Sequence, residues 1–76
     1  MRAYVLINAL PGRALEVVEK IRSVPGVTAA DAITGQYDVI ASFEARDFAV
    51  LGSAVVDKIQ KLDGVRRTVT CLVLTA

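Results

Sequence analysis

Val17-Val18-Glu19-Lys20-Ile21-Arg22-Ser23-Val24-Pro25-Gly26-Val27 aligns without a gap on Val55-Val56-Asp57-Lys58-Ile59-Gln60-Lys61-Leu62-Asp63-Gly64-Val65. Each stretch reads Val-Val-acid-Lys-Ile, two variable positions, an aliphatic residue, one more variable position, then Gly-Val. The second begins 38 positions after the first (Val55 against Val17), half of a 76-residue chain. Two copies are too few to stack as a solenoid, so the repeat predicts a duplicated supersecondary unit within one domain spanning residues 1–76.

Within each copy the apolar period changes from two to 3.6 and back. A first helix is expected from about Arg13 to Ser23, entered after Pro11 and stopped by Pro25-Gly26. Ala14, Val17, Val18, Ile21 and Val24 form its apolar stripe. A second helix is expected from an Asp47 cap to Asp63-Gly64, with Phe48, Leu51, Val55, Ile59 and Leu62 as its stripe. Strands are expected at Arg2–Asn8, Val27–Thr34, Tyr37–Glu44 and Arg66–Leu74, with Gly35-Gln36 linking the middle two as a hairpin. The order is βαββαβ. Right-handed crossovers put both helices on one face of a four-stranded antiparallel sheet, an α+β ferredoxin-like plait.

Composition decides what must supplement so small a core. A chain this short buries only ~60–65% of its unfolded surface. Its single cysteine, Cys71, excludes an intrachain disulfide, and the absence of histidine leaves no zinc set. Oligomerisation remains. Hydrophobic residues make up 54% of the chain and mean hydropathy is +0.51, high for a small soluble domain. No apolar run is long enough to span a membrane, and Met1-Arg2-Ala3-Tyr4 does not open a signal peptide, so a cytoplasmic protein is expected. A net charge of +1 gives no footprint for direct nucleic-acid binding.

The strands are apolar on both sides. Tyr4 and Leu6 alternate with Ala3, Val5 and Ile7, and Leu72 and Leu74 alternate with Val69, Cys71 and Val73. Helices shield one face only. Leaving the other wet forgoes ~1.5–3 kcal/mol per large side chain, so a second copy packed sheet to sheet is expected, or else a patch meant for another protein.

Polar residues concentrate in Thr34-Gly35-Gln36-Tyr37-Asp38. Gly35 is explained as a turn residue, and Tyr37 by a place at the core edge. Asp38 either bonds the turn backbone or holds a cationic group. Thr68 and Thr70, at i and i+2, share a face and offer two hydroxyls to a carboxylate, although each alone is an ordinary strand residue. Arg66 and Arg67 either attract an anion or form a solvated strand end, and Asn8 is equally open. Cys71, without a histidine partner, is expected to be a small buried hydrophobe.

Gly35-Gln36-Tyr37-Asp38 ahead of an apolar strand resembles the G-x-Y/F-D segment of the Lrp/AsnC effector domain, also called the RAM domain. The ending Gly64-Val65-Arg66-Arg67-Thr68-Val69-Thr70-Cys71-Leu72-Val73-Leu74 resembles that family's G-V-x-x-T-x-T-x-x-V-hydrophobic close. Ala3 to Asn8 and Val24-Pro25-Gly26-Val27 fit as well, so the resemblance covers essentially the whole chain. It implies a dimeric α/β barrel whose dimers join into rings, commonly octamers, with a free amino acid bound between dimers. By position, the ligand-binding residues it implies are Gly35, Gln36, Tyr37, Asp38, Thr68 and Thr70. Backbone N–H groups at Gly35 and the threonine hydroxyls are expected to take the α-carboxylate, and Asp38 the ammonium. The family's regulators carry a helix-turn-helix before this domain. Here the first strand starts at once, so a stand-alone effector domain is expected, reaching DNA only by assembling with a helix-turn-helix relative.

The ACT domain shares the element order and also binds amino acids, but its sheets usually join edge to edge. A small cofactor-free monooxygenase or isomerase of dimeric α/β barrel type needs a cavity under the sheet, lined by residues such as Tyr4 or Asp31. Without histidine the commonest general base is missing, and no catalytic residue, cofactor or metal is expected. A pure assembly adaptor would bind protein and no metabolite.

Overall fold

The turns that close the two copies of the repeat are alike down to single hydrogen bonds. Gly26 and Gly64 both take positive φ, +97° and +98°. Behind them the Val27 N–H donates to the Val24 carbonyl, and the Val65 N–H to the Leu62 carbonyl, each at 3.1 Å. The Gly26 carbonyl accepts from Glu44 N–H and the Gly64 carbonyl from Leu10 N–H, both at 2.8 Å. The helices end earlier than expected, at Arg22 and Ile59, and the glycine instead turns the chain into the next strand and ties that turn to a neighbouring strand end. At Gly26 a side chain has no room, because a Cβ there would lie 2.7 Å from the Phe43 ring.

The computed structural model describes residues 1–75. Its elements are β1 (Arg2–Ala9), α1 (Ala14–Arg22), β2 (Val27–Ala32), β3 (Val39–Glu44), α2 (Phe48–Ala54) and β4 (Val65–Leu72). The strands form one antiparallel sheet in the order β2-β3-β1-β4. This is the ferredoxin-like plait, with the duplicated halves interleaved so that β1 and β3 are central.

Period-two alternation sorts the sheet into two faces. Val5 and Ile7 of β1 and Val39, Ala41 and Phe43 of β3 are buried beneath the helices. They meet Val17 and Ile21 of α1 and Leu51 of α2, together with Val55 and Ile59 beyond it. The α2 segment starts where expected, because the Asp47 side chain accepts the Val50 N–H at 2.9 Å. Past Ala54 it widens into a π-helical turn, Val55–Ile59, closed by Gln60 N–H on the Val55 carbonyl. Leu51, Val55 and Ile59 thus stay on one line. Phe48, expected in that stripe, is 61% exposed. Three residues back from Leu51 is about 60° round the helix, off the buried direction.

The halves are also joined by charge. Arg13 on the α1 approach pairs with Asp63 at 2.7 Å, and Lys20 donates to the Asp63 carbonyl at 3.2 Å. The hydrogen bond from Arg13, then its charge, holds the Asp63 carboxyl below its usual range. No helix among the described residues is long and apolar enough to cross a membrane.

Five strand boundaries differ from expectation, by one residue at Ala9 and Val65 and by two at Ala32, Val39 and Leu72. β2 stops at Ala32 and β3 begins at Val39, so residues 33–38 form a loop instead of a two-residue hairpin link. Cys71, expected to be buried, is exposed. It stands opposite Tyr4 on the face away from the helices, which no second layer of this chain covers.

Candidate functional site

The loop of residues 33–38 has its shape because side chains replace part of the sheet ladder. The Asp38 N–H donates to the Ile7 carbonyl at 2.9 Å, as a strand residue does. The next donor along β1, Ala9 N–H, is met by the Asp38 carboxylate, Oδ2, at 2.8 Å. One carboxylate oxygen therefore stands in for a main-chain carbonyl, and Tyr37 and Gln36 are released from pairing. The Asn8 amide donates to the Gln36 carbonyl at 2.8 Å, and Ile33 N–H closes the loop on the Asp38 carbonyl at 2.9 Å. Gly35, at φ +120°, takes a conformation that suits glycine, with open space where a Cβ would lie. Both readings of Asp38 thus retain a place. Oδ2 is committed to backbone, though to β1 and not to the turn, while Oδ1 has no hydrogen-bond partner among the described residues.

Thr68 and Thr70 do share a face of β4, as expected. In register they oppose Ile7 and Val5, so both stand on the helix side of the sheet. Thr68 is half-buried and its hydroxyl accepts the Gln60 amide N–H at 3.0 Å, whereas Thr70 is exposed. Ile7 lies between Thr68 on one side and Val39 on the other, with the Asp38 N–H on its carbonyl. Thr68 and Asp38 are therefore two strand spacings apart, about 9.5 Å. A single chain brings together Gly35, Gln36, Tyr37 and Asp38 but does not bring the threonines to them. The sequence alone had left Asn8 and Gln60 without roles; their bonds to the Gln36 carbonyl and Thr68 are long-range contacts that no local pattern announces.

Concavities occur at several places. At the Asp38 end of the sheet, Asn8, Ala9, Asp38, Arg66 and Arg67 wall a cleft of about 270 Å³. Gln60, Val65 and Thr68, with the same two arginines, wall another of about 390 Å³. A groove of about 380 Å³ lies at the opposite end of β3, with Pro25, Phe43, Val50 and Ala54 in its walls. Its largely carbon lining suits a zwitterion less well than the Asp38 cleft does. On the open face, Tyr4, Ala29, Asp31, Ile40 and Ser42 line a concavity of about 160 Å³.

That open face is apolar along its middle. Register places Tyr4 and Leu6 beside Ser42 and Ile40 on one flank and beside Cys71 and Val69 on the other. Tyr4 is 37% exposed, and Leu6, Ile40 and Val69 are half-buried.

A plait with one bare apolar sheet face, and a polar loop and charged cleft at one end, has the form of a small ligand-binding domain. The Lrp/AsnC ligand binding domain model matches residues 2–76, and the chain belongs to that family. An uncharacterized HTH-type transcriptional regulator of Pyrococcus abyssi is 31% identical over 70 residues, which are 92% of this chain and 44% of the relative. The chain thus spans less than half the length of that regulator. A solved protein of Thermus thermophilus superposes with a TM-score of 0.93 at 35% identity, over 99% of this chain and 94% of that one. A transcriptional regulator of Neisseria meningitidis, solved as a complex with L-Met, superposes with a TM-score of 0.87 over 97% of this chain and 49% of that one. At 22% identity that likeness is one of fold.

Proposed function

We propose that this regulatory ligand-binding domain senses a free amino acid and does so as an assembly of copies, the effector lying between the Gly35–Asp38 loop of one copy and Thr68 and Thr70 of another. The observation that carries this reading is the Asp38 carboxylate. One oxygen is fixed on the Ala9 N–H and the other is left for a cation, at the rim of a cleft. An α-ammonium removed from water needs such a partner, and the α-carboxylate needs donors. The loop's backbone N–H groups and the threonine hydroxyls are the donors. Ammonium and carboxylate sit on one carbon, whereas within one chain Asp38 and Thr68 stand on either side of β1, so the threonine donors are taken to come from a second copy. The L-Met bound by the Neisseria regulator supports an amino acid as the ligand class.

The assembly begins as a homodimer with open sheet faces packed together, a dimeric α/β barrel, and continues into rings of which an octamer is the expected size. Control of transcription then runs through a helix-turn-helix, as in the Pyrococcus relatives, acting in the same assembly. The setting is the cytoplasm. The effector has few atoms, so an affinity between micromolar and millimolar is expected, ~4–8 kcal/mol. Isothermal calorimetry against the twenty amino acids should give heat for at least one, and D38A should abolish it. A flat response to all twenty at millimolar concentration refutes the reading.

The concavity of Tyr4, Asp31 and Ser42 on the open face gives the enzymatic reading its one observation. Two copies closing over it would enclose a phenol and a carboxylate. Family membership favours binding over turnover, and Y4F is expected to leave effector binding unchanged.

A further inference from the structure

The clefts at the Asp38 end hold more positive charge than a neutral amino acid requires. Arg66 and Arg67 wall both of them. Among the described residues neither arginine forms an ion pair. Arg13, Arg22 and Arg46 each lie within 4 Å of a carboxylate: Arg13 of Glu16 and Asp63, Arg22 of Glu19 and Asp31, Arg46 of Asp47. Arg2, also without such a partner, starts β1 at the other end of the sheet. Unmatched guanidinium is thus concentrated between two clefts, one walled by Asn8 and Asp38 and the other by Thr68. Thr68 adds to this, because its oxygen already accepts the Gln60 amide N–H and its own proton is left to donate.

We infer that the effector is an amino acid with an anionic side chain, aspartate or glutamate, whose second carboxylate is received by Arg66 and Arg67. This rests on the reading of Asp38 and the threonines as the groups that hold the α-ammonium and α-carboxylate. Charge accounting is the reason. Two arginines against one aspartate leave an excess of one positive charge in the smaller cleft, and a zwitterion with a neutral side chain does nothing to offset it. A ligand of net charge −1 does. Planar guanidinium also suits a carboxylate by offering two parallel N–H donors, a geometry an amide does not match.

Calorimetry of the full chain against glutamate, glutamine, aspartate, asparagine and leucine tests the inference. Each acid should bind at least about tenfold more tightly than its amide, ~1.4 kcal/mol. The ratio should shrink as salt is raised and fall to about unity in the R66Q/R67Q variant, whose exposed substitutions leave the circular dichroism unchanged. If the amides or leucine bind as tightly as the acids, the side-chain assignment is overturned while the amino-acid reading stands. An acid preference that persists in R66Q/R67Q overturns it as well. Heat from none of the ligands, nor from any of the twenty amino acids, takes both down together.

Discussion

Replacing Leu6 by glutamate is the sharpest test of the bare sheet face. Leu6 sits on central β1, directly between Ile40 and Val69, so its side chain occupies the middle of that face. With Tyr4, Leu6, Ile40, Val69 and Val73 already partly shielded, covering each gains about 1 kcal/mol, roughly half the value for a fully exposed side chain. Ten such side chains in a two-fold pair then contribute on the order of 10 kcal/mol. A carboxylate at position 6 enters the interface from both copies without a partner, at ~3–5 kcal/mol each. The pair should therefore weaken by about four orders of magnitude or more. In one chain the same carboxylate remains solvated, so the fold survives. Analytical ultracentrifugation should show an assembly for the wild type and a folded 8.1 kDa species for L6E. L15E, on the 75% exposed Leu15 of α1, should sediment like the wild type. An unchanged assembly in L6E refutes the reasoning, as does a wild type that is monomeric at micromolar concentration.

Two further outcomes follow from the turns that link the halves. G26A combines a φ of +97° with a Cβ at 2.7 Å from the Phe43 ring, and should lower the stability read from denaturant unfolding by ~2–4 kcal/mol at fixed protein concentration; an unchanged midpoint contradicts the packing described. Arg13 holds the Asp63 carboxyl below its ordinary value, so the pair stabilises the fold above the unfolded-state pKa and the contribution is lost as pH falls through the folded-state value. D63N should therefore lower the melting temperature slightly at neutral pH and converge with the wild type in acid; a gap independent of pH excludes the Asp63 charge as its cause.

Much of the architecture was legible in the linear pattern. The repeat at Val17 and Val55, its two turn glycines and the apolar strands around each helix specify a plait, because helix and strand periods and turn glycines are local properties. Even the apolarity of both sheet faces can be counted along β1. Long-range hydrogen bonds were not legible in this way. That Asp38 lends one oxygen to Ala9, lengthening the loop to residues 33–38, depends on a residue 29 positions away.

Element order, the duplicated turns, the helix-side core and the residue types available to a ligand are thus written in the local pattern. Which of those residues meet is set by the folded sheet. Thr68 and Asp38 flank the same strand yet lie two strand spacings apart, and Arg66 and Arg67 gather beside Asn8 with no ion pair among the described residues. The reason is geometric. Alternation assigns a side chain to a face, but strand order and register, fixed by packing the whole core at once, assign it its neighbours.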